Sequence, residues 1–211
     1  MAKVKITQVY VNPSNFNPQE EAKEEDKPIE ISYKFPKVAE QIIAGMKVMI
    51  GDKTIEANIM EKEKAQDKYD NAVSSGNQAA MMKEAKGEFL ELQIGNIKPG
   101  QTATIEITIV QHLESTNGAF NFEFPLTYFP KYNISKKDRT EEDKILFNFS
   151  TTLKSTDGGF SEIAHPDNFE IIEQKINSAV IQKMNSDYLE LKEDLKISYR
   201  LQNMDDTRFM Y

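Results

Sequence analysis

Short segments in which apolar and polar residues alternate recur along most of this chain. In IEISYKF every second residue is apolar, at Ile29, Ile31, Tyr33 and Phe35. The same period of two runs through FLELQIGNI, TATIEITIVQHL and AFNFEFPL. A β-strand points successive side chains to opposite faces, so this period is typical of strands with one buried face. The pattern predicts a mainly β protein built from antiparallel sheets.

Turn-forming dipeptides separate these segments. Gly51-Asp52 predicts a hairpin within MKVMIGDKTIEANI, and Asn117-Gly118 predicts a tight turn between TATIEITIVQHL and AFNFEFPL. Asp157-Gly158 predicts a third turn, in a later run of short strands that includes NFEIIEQKI, AVIQKM and DLKISYRL. Between the two runs lies the charged segment NISKKDRTEEDK. We therefore expect two β-sandwich units, residues 1–132 and 133–211, with the boundary near residues 132–144.

One segment, EKEKAQDKYDNAVSSGNQAA, has a helical period instead. Its apolar side chains stand at i, i+4, i+7 and i+8, namely Ala65, Tyr69, Ala72 and Val73. Gly76 follows where a helix end favours a left-handed residue. The stripe is narrow and the other positions are mostly charged or polar. We predict a helix from about Glu61 to Ser74 that packs on a sheet through Tyr69 and Val73, with a partner-binding helix as the alternative.

Charge and cysteine content limit the classes of partner and chemistry. The chain has 34 acidic and 26 basic residues and a net charge of −8, which disfavours nucleic acid and anionic lipid as partners. It has no cysteine, which excludes disulfides, thiol nucleophiles and cysteine-ligated zinc. No stretch has the length and hydropathy of a signal peptide or a membrane span, so we expect a cytoplasmic protein without membrane insertion. Residues 12–27 are expected to form an acidic flexible loop.

Residues that could support catalysis are few. The two histidines, His112 and His165, are far apart in sequence and are interpreted as surface side chains rather than metal ligands. Carboxylates come in pairs that lie in charged loops or on a helix face, where nothing indicates the burial that raises a general acid's pKa: Glu61 and Glu63, Glu141 and Glu142, Asp205 and Asp206. We predict no catalytic, cofactor-binding or metal-binding residue, no cofactor, and a chain that is not an enzyme.

Several of these segments, taken in order, resemble the VIT domain, a module named for vault proteins and inter-alpha-trypsin inhibitor heavy chains. The resemblance covers about the first 132 residues. It rests on these positions: the turn at Ile50 to Asp52, Glu61 to Glu63, Ala65 with Tyr69, Gly76 with Ala79, the GNIKPG turn at Gly95 to Gly100, and Pro130 to Tyr132. The sequence departs from the family pattern at Lys131, where arginine is usual, and in KEAKGEF.

This resemblance implies a β-sandwich with one covering helix. The second unit resembles the small sandwich that follows VIT in proteins of the von Willebrand A domain 5A type, where an A domain comes next. The implied function is a non-catalytic interaction or scaffold module that holds another protein or a neighbouring domain. The alternative is an accessory region of a larger enzyme, such as a vault-associated ADP-ribosyltransferase.

Overall fold

The computed structural model describes residues 1–13, 27–37, 41–85, 89–125, 128, 146–156, 158–184 and 194–202. In these ranges the chain forms one helix, α1 (Lys62–Ser74), and strands β1 (Ala2–Val11), β2 (Ile29–Pro36), β3 (Gln41–Ile50), β4 (Lys53–Glu56), β5 (Ala79–Glu84), β6 (Phe89–Ile97), β7 (Thr102–Gln111), β8 (Glu114–Thr116), β9 (Ala119–Phe124), β10 (Ser150–Lys154), β11 (Phe160–Ala164), β12 (Phe169–Lys175), β13 (Ser178–Lys183) and β14 (Leu195–Leu201). No helix in these ranges has the length and hydropathy needed to span a membrane.

The chain divides into two compact units, Met1–His112 and Leu113–Tyr211. The first unit contains sheet A, with strand order β1-β7-β3-β4, and sheet B, with order β2-β6-β5. The second unit contains the sheets β11-β14-β9-β8 and β10-β13-β12. All of these strand pairs are antiparallel. The fold is therefore mainly β, with antiparallel two-sheet units and a single helix in the described ranges, as the sequence predicts.

The division between the units falls earlier in the chain than residue 132. The segment AFNFEFPL, which contains β9, is expected from the sequence to belong to the first unit, but β9 pairs with β14, for example Phe122 with Ile197. The turn Asn117-Gly118 has the expected positive φ angles, 51° and 76°. It joins β8 to β9 rather than β7 to β9. The local pattern predicts β9 and its turn, while the partner of a strand depends on residues distant in sequence.

Alternate residues of β6 and β7 form the apolar interior of the first unit. Leu92, Ile94 and Ile97 of β6 and Ala103, Ile105, Ile107 and Ile109 of β7 are buried. Each large aliphatic side chain removed from water contributes about 1.5–3 kcal/mol. The hairpin at Gly51, with φ 56°, joins β3 to β4 as predicted and adds the buried Val48 and Ile50 to this interior.

Large apolar side chains also fill the interior of the second unit. Phe169, Ile181, Leu195 and Ile197 are buried. The rings of Phe149 and Phe169 meet edge to face with centroids 5.4 Å apart, an arrangement that aromatic pairs favour.

The turn from β6 to β7 is attached to the end of β1 by one buried asparagine. Pro99 and Gly100 form this turn, Gly100 with φ 75°, as the sequence predicts. Asn12 is only 4% exposed. Its backbone N–H donates to the Gln101 carbonyl (2.9 Å) and its carbonyl accepts from the Gly100 N–H (2.7 Å). Its side-chain Nδ2 donates to the Ile97 carbonyl (2.9 Å), so strand end and turn satisfy each other's buried polar groups.

Some predicted features lie outside the described residues. They are residues 14–26 of the expected acidic loop, the pairs Glu141–Glu142 and Asp205–Asp206, Asp157 of the third turn, and the Pro130 to Tyr132 motif.

We expect Asn12→Ala to lower the free energy of unfolding by about 1–3 kcal/mol, because the buried Ile97 carbonyl loses its donor. Chemical denaturation followed by circular dichroism measures this. The matched control is Asn121→Ala, since Asn121 is exposed and its Nδ2 also donates to a carbonyl, that of Ala119 (3.2 Å). Equal midpoints for the two variants would contradict the assignment.

Candidate functional site

Helix α1 packs on the outer face of sheet B. Tyr69 is 5% exposed, and its hydroxyl donates to Glu30 Oε1 of β2 over 2.7 Å. Gly95 of β6 lies beneath the helix, where a Cβ atom would come within 2.5 Å of Val73 Cγ2 and 3.0 Å of the Tyr69 hydroxyl oxygen. The predicted contact of Tyr69 and Val73 with a sheet is confirmed. The absence of a side chain at Gly95 is what permits the close approach.

The C-terminal end of α1 is bonded both to its own turn and to sheet B. Gly76, with φ 76°, donates its N–H to the Val73 carbonyl (2.9 Å), and Asn77 donates to the Ala72 carbonyl (2.8 Å). These two bonds form a Schellman motif. Asn96 of β6 adds a second donor, since its Nδ2 lies 2.8 Å from the Val73 carbonyl and 2.9 Å from the Asn77 carbonyl. Asn96 itself has φ 60°, a conformation that asparagine tolerates better than most residues.

The N-terminal end of α1 has weaker attachments. Its N-cap residue, Glu61, makes no side-chain capping bond and instead pairs with Lys64 at 2.8 Å. One turn further along, Gln66 Oε1 accepts from Lys83 Nζ of β5 over 3.1 Å. Exposed pairs of this kind contribute little to stability. The helix is therefore held mainly through Tyr69, Val73 and its C-terminal turn.

A groove of about 350 Å³ lies beside the N-terminal half of α1 on the same face of sheet B. We call it the lysine groove, because Lys34 of β2, Lys62 of α1 and Lys83 of β5 all line it. Glu84, Glu91 and Phe89 also line it, and Phe89 is 46% exposed. No sequence prediction identified this groove, since its residues come from four elements that only the fold brings together.

Both glutamates of the groove are held in the ionised form. Glu84 pairs with Lys37 at 2.5 Å, and the hydrogen bond from Lys37 lowers the pKa of Glu84. Glu91 accepts from the Ser32 hydroxyl (2.8 Å) and lies 3.6 Å from Lys34. The bond from Ser32 is the largest single cause that lowers the pKa of Glu91, and Lys34 and Lys83 lower it as well. The groove therefore carries charges of both signs at neutral pH.

Strand β1 is an edge of sheet A within the described residues. It pairs with β7 along ten residues, from Ala2–Gln111 to Val11–Thr102, and in this part of the chain no strand borders its other side. On the outer face of β1, Val9 and Val11 are 60% and 61% exposed. Backbone groups at such an edge are available to another strand.

Of the histidines and carboxylates considered from the sequence, His112, His165, Glu61 and Glu63 lie among the described residues. Nδ1 of His165 lies 3.0 Å from the carbonyl of the adjacent Pro166. His112 is the last residue of the first unit. Glu63 is exposed in the first turn of α1. Across the described ranges, no group of three or more His, Cys, Asp or Glu side chains is placed to hold a metal ion.

We expect Gly95→Ala to destabilise the first unit by about 1–3 kcal/mol, because the added methyl group overlaps Val73 and displaces the helix. The matched control is Gly45→Ala in β3, where nothing lies within 4 Å of the new Cβ atom. Chemical denaturation of both variants measures the difference. A Gly95→Ala protein as stable as the Gly45→Ala protein would show that the close approach is unimportant.

The buried Tyr69 hydroxyl group should make the folded chain less stable at alkaline pH. Burial, and then the hydrogen bond to Glu30, raise the pKa of Tyr69. Above about pH 10 an unfolded tyrosine loses its proton while folded Tyr69 keeps it, so stability falls with rising pH by up to about 1.4 kcal/mol per unit. Tyr69→Phe should make this decline shallower, as measured by denaturation at a series of pH values. Tyr33, whose pKa burial raises to about 12, contributes to both proteins. Equal slopes would refute the role of Tyr69.

Comparison with known proteins places this helix and sheet in a family. The family model for the vault protein inter-alpha-trypsin domain matches residues 1–109. A von Willebrand factor A domain-containing protein of Dictyostelium discoideum is 37% identical over 113 residues, which are 51% of this chain and 12% of that protein. A second such Dictyostelium protein is 28% identical over 202 residues, covering 83% of this chain and 22% of the relative, so this similarity extends past residue 109.

Human von Willebrand factor A domain-containing protein 5A is 29% identical over 115 residues, covering 53% of this chain and 15% of that protein. The chain thus spans about a fifth or less of the length of these relatives. The family match covers more than half of the chain and contains α1, Gly95, Asn96 and the β6–β7 turn. This chain belongs to the vault protein inter-alpha-trypsin (VIT) domain family.

Proposed function

We propose that this chain is a non-catalytic protein-interaction module, which acts as a scaffold by holding a partner protein or a neighbouring domain. The relatives are named for a von Willebrand factor A domain and are several times longer than this chain. We expect a module within such proteins to act by contacting the surface of a partner protein or of a neighbouring domain. The observation that carries the proposal is the edge of sheet A at β1.

An added strand would hydrogen-bond to the side of β1 that no strand of the described residues borders. Main-chain bonds give affinity in this mode of recognition, and alternate side chains give specificity. The two halves of β1 differ in how they would receive such a strand. Lys3 and Lys5 place charges on the outer face of the first half, and charged side chains discourage strand addition. Val9 and Val11 leave the second half uncharged and exposed, so we expect the partner strand to pair there.

The double variant Val9→Lys, Val11→Lys tests this. Lysines on the outer face discourage an incoming strand but leave the β1–β7 ladder intact. We expect recovery of specific partners from a lysate of the source organism, measured by quantitative mass spectrometry with the chain as bait, to fall at least about fivefold. This corresponds to about 1 kcal/mol of binding free energy. The midpoint of thermal unfolding should stay within a few degrees of the parent value.

The control is Ile42→Lys. Ile42 is 69% exposed and is paired with Val110, and it lies on β3, which β7 separates from β1 in the same sheet. Full recovery with the control and loss with the β1 variant support binding at the edge. Equal recovery with all three proteins, or no partner retained by the parent chain, would contradict the proposal. Turnover of substrates by the purified chain in hydrolase or transferase screens would contradict its non-catalytic part.

A further inference from the structure

We infer that the lysine groove binds an acidic peptide segment of a partner protein. This surface belongs to sheet B and α1, whereas the edge strand β1 belongs to sheet A. The inference concerns a second binding site and does not depend on strand addition.

The positive charge of the groove is only partly neutralised. Lys34 shares Glu91, at 3.6 Å. The bond from Lys83 goes to the neutral Gln66 amide. Lys62 forms no ion pair with any residue of the described ranges. Neither the Lys62 nor the Lys83 ammonium group therefore has a carboxylate of the described ranges at ion-pair distance, although Lys62 lies near enough to Glu84, and Lys83 to Glu91, to lower the pKa of that glutamate. The net charge of the chain is −8. A carboxylate entering there gains charge-assisted hydrogen bonds.

The glutamates of the groove select the kind of anion. Glu84 and Glu91 are ionised at neutral pH, as glutamates with an ordinary pKa are, and their bonds with Lys37 and Ser32 lower their pKa values further. A polyanion such as nucleic acid or an anionic membrane would bring many charges against these glutamates and against the acidic chain as a whole. A peptide can direct spaced carboxylates to Lys62 and Lys83 and main-chain N–H groups to Glu84 and Glu91. The mixture of charges fits a peptide best.

Phe89 adds an apolar side chain to the lining of the groove. Phe89 begins β6 and exposes 46% of its surface, so an aliphatic side chain next to a carboxylate in the peptide can cover the ring. The volume of about 350 Å³ is at the lower end of the range for ligand sites, and the groove is partly open to solvent. These dimensions suit one or two side chains of a longer segment. The predicted motif is therefore acidic residues alternating with an aliphatic one.

The test is a titration of the complete ¹⁵N-labelled chain with an end-blocked peptide, Gly-Glu-Leu-Glu-Leu-Gly, followed by NMR. We expect amide shifts at Lys83, Phe89, Glu91 and the first turn of α1. The peptide with glutamine in place of both glutamates should give much smaller shifts. Neutralising the groove with Lys62→Gln and Lys83→Gln should weaken binding about five- to tenfold, as for two exposed ion pairs. Raising the salt concentration should weaken binding of the parent chain.

The charge-matched control is Lys98→Gln with Lys154→Gln, since neither lysine lines the groove. It should bind the peptide as the parent does. Equal binding by the groove variant, equal binding of the glutamine peptide, or shifts confined to other residues would overturn the inference. Inorganic phosphate that shifts the same amides with the same affinity would also overturn it, because the groove would then be a site for any anion. Peptide binding that survives Val9→Lys, Val11→Lys separates this site from the β1 edge.

Discussion

The first unit depends on the burial of one face of β7. Ala103, Ile105, Ile107 and Ile109 are withdrawn from water on that face, while the strand pairs with β1 on one side and β3 on the other. The apolar contribution of each isoleucine is comparable to a substantial fraction of a domain's net stability. A shift of one residue in the register would turn these side chains to the outer face and replace them with threonines and a glutamate. The period-two pattern of this strand therefore determines which face of sheet A is inside.

Strand β6 serves two surfaces at once. The inward residues of β6 complete the interior, and its outward face receives the helix. The contact with the helix is made at two successive residues, Gly95 and Asn96. Gly95 provides room for Val73, and Asn96 reaches the carbonyls at the end of α1. A larger residue at position 95 or an apolar residue at position 96 would separate α1 from sheet B. The Gly-Asn pair of the family motif thus has a structural explanation in this chain, that of attaching a helix to a sheet.

Local sequence patterns predicted the strands, the turns and the helix, because those depend on neighbours a few residues away. They did not predict β5, β8 or β11. The AAMMKE segment of β5 lacks the alternation and the β-branched residues typical of strands. Local patterns also assigned β9 to the first unit. The pairing that places β9 in the second unit joins it to β14, between residues more than 70 positions apart, such as Phe124 with Leu195. Local patterns also missed the lysine groove, because its residues are brought together from segments that are distant in sequence. Its lysines stand on separate elements, and outward lysines on strands and helices are ordinary features of solvated surfaces.

The unequal attachment of the two ends of α1 gives the helix a gradient of local stability. At the C-terminal end, the Val73 carbonyl accepts from both Gly76 and Asn96, whereas Glu61 at the other end makes no side-chain cap. Local unfolding starts where contacts are fewest, so fraying begins at Lys62 and proceeds toward Tyr69. The first turn of α1, which forms one wall of the lysine groove, is therefore the least rigid part of the helix. A bound segment that orders this first turn would register as slower hydrogen exchange there, with little change at the anchored end.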